Sequence, residues 1–216
     1  MTNTFLDKMR SAAGRRLSLF ARTERGTVTV ESVIILPLLL FGLQALHTYF
    51  DAYRHQSLAL KANYAISDYL SRIDKYDRTI LEGLDELFEY MSRSKEESWV
   101  RVTVVKCELT SAECNDAIPR KLTLDPGDSQ ASYNSGITGH TQATMRQYLG
   151  PHIPKMYDGE ELIVVETVAK YEPPFAGFWT GIYPRNTEHV VVTSPREYQT
   201  LCYDTAANPC PVPVTP

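Results

Sequence analysis

The chain has 216 residues, 43% of them hydrophobic, and a formal net charge of −4 at pH 7. This length accommodates one modest domain with an appendage. Residues 1–26 carry six Lys or Arg against Asp7 and Glu24, a net charge of +4 that leaves −8 for residues 27–216. The acidic remainder offers no basic face to phosphates, which excludes nucleic acid as an expected partner.

An apolar run over residues 27–50 follows this basic leader and holds a single carboxylate, Glu31. At about 1.5 Å per helical residue, the run is long enough to cross a ~30 Å hydrocarbon layer. Positive charge beside a span favours the cytoplasmic side, so we expect a cytoplasmic N terminus and an exported C-terminal portion. A secretory signal peptide is the alternative, although Leu43-Gln44-Ala45 is a poor cleavage site.

Helical periodicity continues past the apolar run. Apolar residues recur at spacings of three and four, namely Leu58, Ala62, Ala65, Tyr69 and Ile73. The pattern predicts one helix over residues 27–73, about 70 Å long, with residues 51–76 extending it beyond the membrane. Pro37 lacks an amide donor and should bend the helix locally.

Residues 77–204 are predicted to form an α+β head. Thr79 and Glu82 fit a capping box that begins a helix over residues 79–93. The other predicted elements are strands over residues 99–109, 161–173 and 188–194, and a short helix over 138–149. In the first strand the valines up to Val104 occupy even-numbered positions, and the apolar residues from Val105 onward occupy odd-numbered positions. This change of phase indicates either a β-bulge or a strand that is buried on both faces.

The fold class is therefore α+β, a long N-terminal helix plus a small antiparallel sheet of three or four strands with short helices. The outer seam of the long helix is expected to pack on one sheet face. Residues 205–216 are rich in Pro and predict an extended tail that is tied back through Cys210.

Four cysteines, Cys107, Cys114, Cys202 and Cys210, lie in the expected exported portion and predict two disulfides. Three connectivities are open, and the short spacings favour the local pairs 107–114 and 202–210. Each bridge would contribute about 2–3 kcal/mol in the loop-entropy model. A zinc site made of all four thiolates would need CxxC-like pairs, and these spacings are wider.

The segment from Arg25 to Glu31 has a basic residue, Gly26, four residues and a Glu before the apolar run. This pattern resembles type IV prepilins, which prepilin peptidase cleaves after the Gly. The following Leu36-Pro37-Leu38-Leu39-Leu40 is similar to TadE/TadG-like minor pseudopilins of tight-adherence (Flp) pilus systems. The close resemblance covers about residues 24–46, and the chain is longer than the major Flp pilins, which favours a minor component.

The resemblance implies cleavage between Gly26 and Thr27, and by analogy N-methylation of the new Thr27 amine. On a helix that amine lies one turn from Glu31, which could pair with it or with the amine of a neighbouring subunit and so fix the register of assembly. The implied partners are prepilin peptidase, other pseudopilins, the pilus assembly machinery and the bacterial inner membrane, with the head in the periplasm. The alternative is an uncleaved, single-pass periplasmic binding or scaffolding module whose Glu31 only reaches the membrane interface.

Other polar groups carry weaker signals. His47, Asp51 and His55 share one helical face and could bind zinc, but polar residues are also expected where a helix leaves a membrane. The acidic turn over residues 156–161 lacks an EF-hand loop, so we expect neither a metal nor a cofactor. The sequence has no GxSxG, P-loop or HExxH motif, and we predict that the protein is not an enzyme.

An uncharged aromatic stretch, residues 173–184, connects the second and third predicted strands. One interpretation places much of it in the core. The other makes it an exposed surface for a partner or a membrane. The residues of that possible partner surface are Phe175, Phe178, Trp179 and Tyr183.

Overall fold

The computed structural model describes residues 27–94, 98–108, 110–117, 120–132, 136–206 and 209–210. The leader with its predicted cleavage residue Gly26, and the end of the tail, lie outside the described residues. The helices are α1 (Thr27–Leu70), α2 (Arg78–Ser92), α3 (Ser111–Asp116), α4 (Gln142–Thr144, followed by a π-helical turn, Met145–Leu149) and α5 (Gly177–Thr180). The strands are β1 (Lys75–Tyr76), β2 (Trp99–Lys106), β3 (Ser129–Ala131), β4 (Glu161–Tyr171), β5 (Arg185–Thr193) and β6 (Cys202–Tyr203).

The long helix α1 is continuous over 44 residues and contains Pro37. At about 1.5 Å per residue its length is ~66 Å. It ends three residues before the predicted Ile73, because the chain tightens into a final turn in which Arg72 N donates to Tyr69 O at 3.1 Å. Strand β1 begins at Lys75 and pairs in parallel with β6.

Helix α2 confirms the predicted second helix and corrects its cap. Asp77 is the N-cap residue, and its Oδ1 accepts a hydrogen bond from Ile80 N at 2.8 Å. The proposed capping box of Thr79 with Glu82 is wrong, since Thr79 already lies inside the helix and Glu82 instead binds Arg78 at 2.9 Å. A carboxylate at the N-cap position accepts hydrogen bonds from the same unpaired backbone N–H groups of the first helical turn as a threonine hydroxyl would.

The main sheet has four antiparallel strands in the order β3-β2-β4-β5. Strands β2 and β4 pair from Trp99 opposite Val168 to Lys106 opposite Glu161, and β4 and β5 pair as far as Tyr171 opposite Arg185. The predicted α+β class with a long apolar N-terminal helix and a small antiparallel sheet is thus confirmed. Strands β2 and β4 end two or three residues earlier than predicted, and β5 begins three residues earlier.

Both faces of the sheet are covered, which explains the phase switch in β2. Val104 is buried against the helices, and its neighbour Val105 is buried in a second core on the opposite face. The first core is formed by side chains of α1, α2 and the sheet, including Ala62, Ile66, Leu70, Phe88, Val102 and Val165. The second includes Cys107, Cys114, Leu122, Met145, Leu149 and Val164.

The seam of α1 that packs on the sheet differs in phase from the predicted stripe. Ala62 is buried as predicted and Leu58 and Ile73 are partly buried, but Ala65 and Tyr69 are exposed. The buried seam consists of Ala59, Ala62, Asn63, Ile66, Ser67 and Leu70. Its two polar members both bond to the sheet: Asn63 Nδ2 donates to His189 O at 3.0 Å, and the Ser67 hydroxyl meets that of Thr193.

Candidate functional site on the exposed half of the long helix

The first half of α1 packs against almost nothing in the described chain. Every residue from 29 to 43 is exposed, and the large apolar side chains there range from 44% exposed at Phe41 to 69% at Leu38. An apolar cylinder exposed all round requires a cover of lipid or of other helices. By length and composition, α1 could cross a membrane.

Glu31 lies within this cylinder, and it is the only Asp, Glu, Lys or Arg between Thr27 and Phe50. Helix α1 is described from Thr27 onward, and Thr27 is the residue that the predicted cleavage would make the new N terminus. Glu31 lies one helical turn further on and is exposed. A lone carboxylate in hydrocarbon is costly, so its position calls for a cation or for water at that level.

The second half of α1 carries the head. Among the polar contacts between α1 and the head, those of Tyr171, at the end of β4, lie nearest the start of α1. Its hydroxyl lies 3.1 Å from Asp51 Oδ2 and 3.3 Å from Thr48 O. Burial, followed by the hydrogen bond and charge of Asp51, raises the pKa of Tyr171 to about 12. Tyr171 is therefore a neutral donor at physiological pH.

Of His47, Asp51 and His55, the last two both meet Tyr171, whereas His47 meets Phe175. The His47 ring meets Phe175 edge-on at 5.9 Å, whereas the His55 ring lies 5.1 Å from Tyr171. Both nitrogens of His55 are buried without a hydrogen-bond partner among the described residues. The described chain holds no group of three or more His, Cys, Asp or Glu positioned for a metal ion. This helical face joins α1 to the head.

A cavity of about 320 Å³ opens beside this joint. Arg54, Arg93 and Lys170 contribute cations to its lining, and Asp51 and Glu172 contribute carboxylates. Lys170 is paired with Glu172 at 3.6 Å. Because both signs of charge line the cavity, it does not select a ligand of one charge.

The aromatic stretch between β4 and β5 forms a turn that includes α5. This turn lies against the first half of α1, at Phe41 and His47. The rings of Trp179 and Phe41 stack with centroids 5.0 Å apart and an interplanar angle of 11°. Phe178 meets Trp179 edge-on at 5.1 Å. None of Phe175, Phe178, Trp179 and Tyr183 is buried, so these four residues belong to the surface.

Both disulfides adopt the local pairing, Cys107–Cys114 and Cys202–Cys210. Cys107 and Cys114 are buried in the second core. Cys202 belongs to β6, so its bridge holds the start of the tail against the β1–β6 pair. The bridges stabilise the head and lie outside the exposed half of α1.

Sequence reasoning missed one buried ionic cluster on the sheet face opposite α1. Glu166, 2% exposed, accepts two hydrogen bonds from Arg101 at 2.8 Å and one contact from His140 Nε2 at 2.8 Å. Burial raises the pKa of Glu166, but these contacts outweigh it and the net pKa is lowered. The available signal was a Glu in the middle of the otherwise apolar ELIVVETVA. Both carboxylate oxygens are engaged, so the cluster fastens the segment around His140 to the sheet.

Comparison with family models, with curated proteins and with solved structures finds no match for this chain.

Proposed function

We propose that this chain is a minor pseudopilin of the TadE/TadG-like kind, which prepilin peptidase cleaves after Gly26 and which takes part in the assembly or initiation of a tight-adherence pilus. Residues 27–50 cross the bacterial inner membrane with the N terminus in the cytoplasm. The head and residues 51–76 of the helix lie in the periplasm. Its partners are prepilin peptidase, other pseudopilins and the assembly machinery.

One observation carries this proposal, namely a single carboxylate, Glu31, in an apolar helix that is exposed on all sides over residues 29–43. A membrane anchor needs only the apolar helix. A subunit that must leave the membrane and pack against identical or related helices also needs something that sets its axial register, as a buried polar residue does in a coiled coil. Glu31 and a new amine at Thr27 supply such a pair.

The rest of the molecule fits the same arrangement. The core of the head packs on the second half of α1 and, apart from the ring contacts at Phe41 and His47, leaves the first half free for lipid or for other helices. Two disulfides suit an oxidising compartment such as the periplasm. The basic leader suits a cytoplasmic N terminus.

The runner-up is an uncleaved, single-pass anchor for a periplasmic binding or scaffolding head. Its apolar helix and disulfides would be the same, and its Glu31 would only reach the interfacial water. The mature N terminus distinguishes the two functions, because the runner-up retains residues 1–26.

The deciding experiment is the mass and N-terminal sequence of the protein isolated from membranes of its native cell. We expect a chain that begins at Thr27, and the precursor when Gly26 is replaced by Arg, because that side chain would obstruct approach to the scissile bond. Gly14→Arg changes the same residue type within the leader and should leave cleavage intact. Retention of residues 1–26 in cells that contain prepilin peptidase would contradict the proposal.

A further inference from the structure

The aromatic turn, defined as residues 173–184, combines high exposure with a complete lack of charge. Its sequence PPFAGFWTGIYP contains no Asp, Glu, Lys, Arg or His. Phe178 is 80% exposed and Trp179 is 58% exposed. Tyr183, which is also exposed, completes one apolar surface with an amphipathic ring at its margin.

The turn has a defined shape, held by its own backbone. Trp179 N donates to Ala176 O at 3.0 Å, and Gly181 N donates to Gly177 O at 2.7 Å. Gly181 adopts a positive φ of 74°, and a Cβ on Gly177 would lie 2.7 Å from Ile182 O. The exposed rings are therefore presented by an ordered segment.

The height of the turn along α1 is fixed by ring contacts at two levels. Trp179 stacks on Phe41, and Phe175 meets His47. The base of the head is at Thr48, which Tyr171 contacts. The Phe41 level lies seven residues closer to the start of the helix, a distance of roughly 10 Å.

This height places the turn inside the thickness of a membrane. The helix from Thr27 to the residue before Phe41 spans only ~21 Å at 1.5 Å per residue, whereas a hydrocarbon core is about 30 Å thick. Any tilt of α1 lengthens the helical segment that the core requires. The charged Glu24 and Arg25 oppose an earlier start of the span. If α1 crosses the bilayer from Thr27, Phe41 lies ~9 Å below the far boundary of the core, and Trp179 lies beside it.

We infer that the aromatic turn is a second membrane-contacting element, and that its ligand is the phospholipid of the periplasmic leaflet. This inference rests on the membrane span in the proposed function. Trp179, at the level of Phe41, and its neighbour Phe178 lie among the acyl chains, and the Tyr183 ring lies toward the interfacial layer where such rings accumulate. Exposed Arg185 follows the turn and lies at the level of the lipid phosphates. The head is thereby held upright on the membrane at two places.

Depth-dependent fluorescence quenching tests this contact in the full-length chain. The sequence has two tryptophans, so Trp99→Phe leaves Trp179 as the sole emitter. The protein is reconstituted in phosphatidylcholine vesicles whose acyl chains carry bromine at shallow or deep positions. We expect a blue-shifted Trp179 emission that the bromines quench several-fold, because a ring ~9 Å below the boundary of the core lies among the acyl chains.

Two matched controls use chains in which Trp99 and Trp179 are both Phe. Leu38→Trp reports whether α1 itself is in the bilayer, and Tyr90→Trp reports an exposed site on α2, where Tyr90 is 85% exposed. Quenching at position 38 and at Trp179 but not at position 90 supports the inference. Further support would come from Phe178→Asp if it reduces quenching of Trp179 while position 38 is unchanged.

The possible failures are distinguishable. Quenching at position 38 with Trp179 unquenched overturns the aromatic-turn inference and leaves the membrane span standing. An unquenched position 38 overturns the span and the inference together. Equal quenching at all three positions means that the head lies down on the vesicle, which also overturns the inference.

Discussion

The hydroxyl of Tyr171 lies 3.1 Å from Asp51 Oδ2, where strand β4 ends against the long helix. Further along, Asn63 bonds to His189 O and Ser67 meets Thr193. Contacts from Thr48 to Ser67 cover about 28 Å of helix, which matches the ~27 Å spanned by the eight steps from Tyr171 to Ile163. Helix and strands are thus joined along their whole overlap, and the head cannot swivel freely on α1.

Replacement of Tyr171 by Phe removes the polar contacts that lie nearest the start of α1, those with Thr48 and Asp51. We expect a loss of about 1–3 kcal/mol in the free energy of unfolding, because the single O–H of Tyr171 no longer donates to the partly buried Asp51 carboxylate or to the Thr48 carbonyl. The measurement is denaturant unfolding in detergent. Tyr90→Phe removes a hydroxyl from an exposed ring and should be nearly neutral, and an equal effect of both variants would contradict this role for Tyr171.

His55 makes the joint sensitive to acid. Burial lowers its pKa, an effect that outweighs the opposing charge of Asp51, and burial lowers the pKa of nearby His189 as well. As the pH falls through about 6.5, the unfolded chain takes up protons that the folded chain resists, so stability present above that pH is lost below it. His55→Phe keeps a ring against Tyr171 and removes one titrating group.

We therefore expect the melting temperature of His55→Phe to fall less than that of the wild type between about pH 7 and pH 5. His152→Phe changes an exposed histidine and should retain the wild-type pH profile. Identical slopes for wild type and His55→Phe would show that protonation of His55 is not coupled to folding.

The two disulfides should differ in what their removal costs. Their loops are similar in length, with separations of 7 and 8 residues, so the loop-entropy contribution is about 2–3 kcal/mol for each. Cys107 and Cys114 are fully buried, whereas Cys202 and Cys210 are partly exposed. Paired Ser substitutions at 107 and 114 also bury two hydroxyls, and we expect them to destabilise the head more than substitutions at 202 and 210.

Thermal unfolding of both double variants provides the comparison. Thiol labelling of the denatured, unreduced wild type should find no free thiol. Four labelled sites would place the head in a reducing compartment and contradict the proposed topology. Equal losses of stability in the two double variants would mean that burial of Cys107–Cys114 in the second core adds nothing to the stability that this bridge contributes.

The elements with strong local patterns could be predicted from the sequence. The apolar run, the amphipathic helix α2 and the valine-rich strands each express a clear period over many residues. Strand β3 could not be predicted, because Ser129–Ala131 has no apolar alternation and becomes a strand only by pairing with β2. Strands β1 and β6 have two residues each and depend on each other in the same way.

The wrong phase of the α1 seam has a physical cause. A search for apolar residues passes over Asn63 and Ser67, although both are buried because the sheet supplies their hydrogen-bond partners. Glu31 could be recognised from the sequence as a lone carboxylate, because the apolar residues that surround it are its neighbours along the chain. The position of Trp179 beside Phe41 could not, because it follows from how far the β4–β5 turn reaches down the helix.

The final prediction concerns Glu31→Ala. If Glu31 pairs with the Thr27 amine of a neighbouring subunit, the substitution leaves that amine unpaired in a poorly hydrated site. Loss of one partner of a buried pair costs about 3–5 kcal/mol, which weakens assembly by roughly a hundredfold to a few thousandfold. Cleavage after Gly26 should continue, because the scissile bond is unchanged. We expect a processed, membrane-inserted protein that no longer co-isolates with its pilus partners.

A charge-shift control separates pairing from a general need for a carboxylate at this depth. In the double variant Val30→Glu with Glu31→Ala, the carboxylate stays within about 1.5 Å of its original depth but moves about 100° around the helix. If Glu31 sets the register, this variant should also fail to co-isolate, whereas a carboxylate that only reaches interfacial water should work equally well at position 30. Glu31→Asp should retain partial assembly. Normal co-isolation and piliation of Glu31→Ala, with the mature N terminus checked in parallel, would show that Glu31 does not set the register.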